Sequence, residues 1–204
     1  MHTRPLLAAL MLAVGLLLSA CAAKPDNSST YDLGPLRAVS SAASSAAPAL
    51  PAISVGEVRV PAWLDSPRMF YRLNYANDQQ PRAYADSKWA MPPGQLFVQR
   101  LKSRLSQAGG VVVPASDGAL NLPVLYIEAD DFSQVFDRAD RSSAHIAIRA
   151  SLFDGRFLRA QKMFVRDIPA DTSDARGGVA ALATASDAII DDIAAWLANL
   201  PPKK

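Results

Sequence analysis

The sequence predicts an α+β domain: a mostly antiparallel sheet with two helices packed on one face, preceded by a flexible lipidated tether. Three observations predict it. Residues 143–153 alternate strictly, with Ala144, Ile146, Ile148, Ala150 and Leu152 on one side and His145, Arg149 and Ser151 on the other, the period of a half-buried strand. Two stretches instead carry apolar residues at helical spacing: Phe97, Leu101, Arg104/Leu105 and Ala108, then Leu182, Ser186, Ile189/Ile190, Ile193, Trp196/Leu197 and Leu200. Two helical stripes beside an antiparallel sheet are buried by stacking on one of its faces. Finally, residues 22–52 shift to Ala, Ser and Pro, a composition with too little apolar surface to offset the entropy of ordering it.

The chain opens as a bacterial secretory signal over residues 1–20: a basic Arg4, an apolar run over 6–18, and small residues before a cleavage point. The run is shorter than the ~20 residues a bilayer span needs. Leu18-Ser19-Ala20-Cys21 resembles a lipobox, and Cys21 is the only cysteine of the chain, so Cys21 is the expected site of acylation. With that thiol used, no disulfide is available, and the fold has to hold by core packing. Residues 21–52 form the tether. As a coil at ~5–6 Å × √n it sets the domain ~30 Å from the lipid. Within it, Tyr31-Asp32-Leu33-Gly34-Pro35 has the alternation and the Gly-Pro stop of a short strand added to the domain edge.

The domain proper is placed at 53–204. Residues 53–60 carry the β-branched Ile53, Val55, Val58 and Val60 and end at Pro61. Residues 69–75 read as a strand with Met69, Tyr71, Leu73 and Tyr75 on one face and Arg72 and Asn74 on the other. The polar run 77–81 reads as the turn that follows, and 82–85 as an extended piece. Pro92-Pro93-Gly94 opens a helix over about 95–108, closed by Gly109-Gly110. Residues 111–113 are extended and stopped by Pro114. Strands follow over 124–136, 143–153 and 157–168, joined by the charged turn 137–141 and by Asp154-Gly155, a hairpin signal. The last helix is expected from Val179, because Gly177-Gly178 weaken a first turn, and it stops at Pro201-Pro202.

The residue inventory argues against catalysis. His145 is the only histidine after the leader and lies on the polar side of its strand, with no cysteine or motif serine to serve. Asp130 and Asp131 are strand neighbours that point to opposite faces, and Asp191-Asp192 read as a solvated helix face. No phosphate loop and no cluster with metal spacing appears, so neither a metal nor a cofactor is expected. There are 21 Lys and Arg, one of them Arg4 of the leader, against 19 Asp and Glu. That balance and their scatter exclude a nucleic-acid footprint. The densest chemical feature is aromatic: Trp63, Phe70, Tyr71, Tyr75, Tyr84 and Trp89. Core packing explains such a group; so does a docking face or the wall of an apolar groove.

Several segments in this order resemble one family. They are Tyr31-Asp32-Leu33-Gly34-Pro35, Val60-Pro61-Ala62-Trp63-Leu64-Asp65, Tyr71-Arg72-Leu73-Asn74-Tyr75, the run from Arg82-Ala83-Tyr84-Ala85 to Pro92-Pro93, and Ala194-Ala195-Trp196-Leu197. Around the lipobox they look like the ABC-type transport auxiliary lipoproteins, the family of PqiC. The resemblance implies a non-catalytic lipoprotein, held at the outer membrane and facing the periplasm, that docks an MCE-type lipid transport assembly. The implied partners are an MCE-domain protein with its permease and ATPase, and the membrane through the lipid anchor. Lipid itself and a second copy of the chain are further candidates. Trp63, Tyr71, Tyr75, Tyr84 and Trp89 are the candidate contacts. An assembly lipoprotein of another envelope complex, such as a secretion machine, uses the same tether and domain and is the alternative.

Overall fold

A computed structural model describes residues 28–36, 50–118 and 121–201. The leader and Cys21 lie outside the described residues, as does most of the Ala/Ser/Pro-rich segment. The described chain forms one eight-stranded sheet with two long helices on one face. The strands are β1 Ser29–Tyr31, β2 Ile53–Arg59, β3 Arg68–Leu73, β4 Asn77–Trp89, β5 Val112–Pro114, β6 Val124–Arg138, β7 Arg141–Asp154 and β8 Phe157–Pro169. The helices are α1 Pro93–Gln107 and α2 Ala175–Ala198. This is the expected α+β architecture.

β6 is the central strand. One of its edges pairs with β7 along nearly its whole length. The other is shared: its first half takes β2 and its last three residues but two take β3, both in parallel. β3 turns back antiparallel into β4, and β1 adds in parallel to the end of β4. The long pairings β6–β7 and β7–β8 are antiparallel, so the sheet is mostly antiparallel by length. The parallel joins of β2, β3 and β1 were not readable from periodicity, which gives strands but not neighbours.

The core lies between sheet and helices. Ala144, Ile146, Ile148, Ala150 and Leu152 are all fully buried, as are Phe97, Leu101, Leu182, Ile189 and Ile193. The expected stripes therefore face each other. Ala108 is an exception: it caps α1 outside the last turn and is exposed. Ser151, expected outward, is also buried, and accepts a hydrogen bond from Gln161 Nε2 across the β7–β8 pair (2.8 Å).

Two local expectations are corrected. Residues 77–81 belong to β4, and the turn lies at 74–76, so Tyr75 sits at the hairpin tip rather than on the β3 face. Polar composition and Pro81 imitate a turn there. At 77–81 the strand has β3 on one side and no described partner on the other, where proline's missing N–H costs little. The second correction is at α2, which starts four residues before Val179. Asp174 caps it, its carboxylate accepting from Gly177 N–H at 2.8 Å. The two glycines are required by closeness: a Cβ on Gly178 would stand 2.0 Å from Gln134 Oε1, and one on Gly177 2.1 Å from the Thr172 carbonyl oxygen. Their low helix propensity is overridden by tight helix–sheet packing.

Candidate docking site

The end of the sheet formed by β1, β3 and β4 gathers the features that packing of the core does not require. It begins with the arm, residues 28–34. An edge strand is present but lies earlier than expected: Ser29, Thr30 and Tyr31 are in register with Ser87, Lys88 and Trp89, and of the expected 31–35 only Tyr31 is in the strand, because 32–34 form a turn. Asp32 then accepts a hydrogen bond from Gly34 N–H (2.7 Å), which turns the chain at a residue with φ 72°. This turn drops Leu33 into the core, where it is 6 % exposed.

Arg100 of α1 locks the arm in place. Its Nε and Nη2 donate to the two carboxylate oxygens of Asp187 on α2, both at 2.7 Å, while Nη1 donates to the Leu33 and Gly34 carbonyls at 3.0 and 2.9 Å. The guanidinium is 7 % exposed, and its fork geometry satisfies both partners at once. One turn later Arg104 donates to Asp191 at 2.8 Å. Equal steps of four on both helices mean that α1 and α2 run side by side in the same sense. Asp191 is thus not a bare solvated face, and neither is Asp192, which accepts from Arg166 of β8.

The aromatic residues divide by side of the sheet. Tyr71 packs on Tyr84 (centroids 4.7 Å apart) and on Phe136 beneath the helices. The Tyr84 hydroxyl donates to Gln134 Oε1 (2.9 Å), and Gln134 Nε2 donates to Ser142 Oγ (2.7 Å). Burial pushes the Tyr84 phenol well above its ordinary pKa, with Tyr71 and Asp174 adding to the effect. Trp89 is 1 % exposed and stacks edge-on against Phe132. It belongs to the core and presents no surface. Trp63 lies half-buried at the other face, edge-on to Phe70, with the Arg72 guanidinium 5.3 Å from its ring centroid. Tyr75 is 52 % exposed. Of the candidate rings Tyr75 has the most open area and Trp63 is half-buried, while among the described residues the most exposed ring is Phe157 at the start of β8, 80 % exposed.

A cavity of about 450 Å³ opens where the arm enters, lined by Ser28, Arg68, Ala83, Tyr84, Ala85, Ser87 and Lys88. A second, about 510 Å³, runs along the other flank of the arm, between Tyr31, Leu33 and α2 residues Val179, Ala180 and Ala183.

The remaining charged candidates form pairs rather than a reaction centre. His145 is not partnerless: its Nδ1 lies 2.7 Å from Asp167 Oδ1 on the neighbouring strand. Asp130 pairs with Arg149, and Asp131 with Arg72 and the Ser133 hydroxyl. Among the described residues no group of three or more His, Cys, Asp or Glu is placed to hold a metal ion.

The model of the family described as ABC-type transport auxiliary lipoprotein component matches residues 31–194, from the arm through most of α2. The chain belongs to this family. Among solved structures it is similar to protein XCC0632 from Xanthomonas campestris, a DUF330 protein, at 19 % identity and TM-score 0.70, over 82 % of this chain and 94 % of that one. It is also similar to an uncharacterized protein at 21 % identity and TM-score 0.64, over 82 % and 97 %. Both likenesses concern the fold. No curated protein matches the chain. As a member of the family the protein is a lipoprotein component of an ABC-type transport system, and so works with that system. No described helix is long and apolar enough to cross a membrane.

Arg100 and Asp187 escaped the sequence reading. Each is a charge set within an apolar helical stripe, Arg100 beside Leu101 and Asp187 beside Ser186. Opposite charges on the buried faces of two helices are the signal that would have paired them.

Proposed function

We propose that the protein is a non-catalytic lipoprotein, anchored through acylated Cys21 in the outer membrane and facing the periplasm, that docks an MCE-type lipid transport assembly. The observation that carries this reading is the family match itself. It runs through the arm, both helices and the aromatic β3–β4 hairpin, the parts that organise the candidate site. Outer-membrane placement rests on Ala22 after the acylated cysteine, where aspartate is the usual inner-membrane retention signal in enterobacteria-like sorting. Several acyl chains at ~0.8 kcal/mol per buried CH₂ make a firm anchor. Docking is assigned to Trp63 and Tyr75, with Tyr71 and Tyr84 packed on the helix side of the sheet, because rings bury large area with few rotors to freeze.

The test is photo-crosslinking in intact envelopes from Trp63 and Tyr75, compared with Lys102 and Asp192 on the helix side. Adducts to an MCE-domain protein that co-purifies with its permease and ATPase are expected at the aromatic sites. Adducts confined to the helix side would defeat the docking assignment. Adducts to components of a secretion machine would replace the transport reading by its alternative. Palmitate labelling lost in Cys21→Ser checks the anchor separately.

A further inference from the structure

We infer that the cavity at the foot of the arm is a binding site for the phosphate headgroup of an anionic phospholipid, belonging to the membrane in which Cys21 is anchored. The inference rests on Cys21 being the anchor, and goes beyond that reading by giving the domain an orientation and a lipid contact.

Connectivity supplies the first argument. The arm is docked from Ser29 onward, and Ser28 itself lines the cavity. Seven Cα-to-Cα steps, with six residues between them, separate Cys21 from Ser28. Fully extended at 3.3–3.6 Å each they span at most about 25 Å, and as a coil roughly 15 Å. The reach set by a free tether over 21–52 is thereby halved, and the β1 end of the sheet is the end that faces the lipid.

Local structure supplies the second. Between β3 and β4 the register shifts from Arg68↔Lys88 to Phe70↔Ala83, so two steps on β3 oppose five on β4. Such a bulge bends the strand and re-aims its side chains. Here it opens the cavity and sets a guanidinium and an ammonium on its wall, with Ser28 and Ser87 as further polar groups and Tyr84, Ala83 and Ala85 completing the lining. About 450 Å³ accommodates a phosphodiester headgroup. Two cations, hydroxyl groups and a membrane within reach match an anionic phosphate in charge and position.

The experiment uses the full-length chain matured in cells, carrying a benzophenone side chain in place of Ala85. The chain is reconstituted into phosphatidylcholine vesicles with or without phosphatidylglycerol. Irradiation is expected to give phosphatidylglycerol adducts. Replacing both cations (Arg68→Gln with Lys88→Gln) should lower their yield roughly 20- to 30-fold, at about fivefold per charge near a membrane surface. The control Arg156→Gln with Lys162→Gln, at the opposite edge of the sheet, should leave the yield unchanged. Equal adducts to phosphatidylcholine, or an equal loss in the control, would overturn the proposal. So would adducts abolished by inorganic phosphate at a concentration matching the lipid, which would assign the cavity to free phosphate. The intact mass of the same sample reports acylation independently. An unacylated chain would defeat the anchor reading, and the adducts of that chain, added to the same vesicles from solution, would still decide the cavity.

Discussion

The two ends of this sheet are built on different rules. The β6–β7–β8 meander is joined by two tight turns, alternates regularly, and pairs along a long antiparallel register with two small shifts in β6–β7 and one in β7–β8. The β1–β3–β4 end is assembled from parallel additions, a wide bulge, and an arm held by one arginine. The meander carries the fully buried row Ala144, Ile146, Ile148, Ala150 and Leu152, and its edge strand β8 leaves Phe157, Leu158, Met163 and Val165 exposed. The other end spends some of its regularity on cavities, an exposed Tyr75 and, on the proposed anchoring, the route to the membrane.

The largest expected effect comes from breaking the meander. Ile148 is fully buried in the middle strand, so Ile148→Ala should cost about 4 kcal/mol and lower the denaturant midpoint of the whole domain as one transition. If the comparison is right, exchange protection of the arm relative to the rest stays unchanged.

Arg100→Ala attacks the other end. It leaves Asp187 and two carbonyls without their donor, at about 3 kcal/mol. Its signature is local: amide exchange and protease cleavage rise at 29–34 before global unfolding. A uniform loss of protection across β7 would show that the arm and the meander are one cooperative unit.

Asp174→Ala should cost about 1 kcal/mol through loss of the α2 cap. Hydrogen bonds from Gly177 N–H and the Thr172 hydroxyl hold this carboxyl below its ordinary pKa of 3.8. The cap therefore contributes fully above about pH 4 and is lost as pH falls through the lowered folded-state value. A stability difference between wild type and variant that persists at much lower pH would contradict this cause. The smallest effect is His145→Ala, an exposed pair with Asp167 worth well under 1 kcal/mol. Transport-dependent growth should be retained, and loss of growth by a normally folded, normally abundant variant would reopen catalysis.

The same contrast decides how much was legible. Period-two alternation over 143–153 and the stripes at 97–105 and 182–197 named the core correctly, because local pattern and burial agree there. Residues 77–81 misled, since a polar strand containing proline is indistinguishable from a turn until its edge position is known. Gly177-Gly178 misled in the opposite sense, their helix being fixed by what lies against it. The candidate site was legible as an aromatic cluster, yet its division into buried Trp89, supporting Tyr71 and Tyr84, and accessible Trp63 and Tyr75 depends on the bulge and on which face each strand turns to the helices. Arg68 and Lys88 are twenty residues apart and meet only through strand register.

The order of attachments along the arm has a mechanical consequence. With Cys21 held in a membrane, tension enters at Ser28 and meets first the three-residue β1 ladder, and only afterwards the four hydrogen bonds of Arg100 at Leu33, Gly34 and Asp187. An outward pull peels residues 29–32 one at a time and releases about 14 Å of slack at 3.3–3.6 Å each, while the arginine keeps Leu33 and the inner end fixed. Pulling single molecules from residue 21 should show an early extension of that size, reversible on relaxation, before the domain yields. On the proposed anchoring the arm is a short extensible strap, letting the distance between lipid and domain change without straining the core.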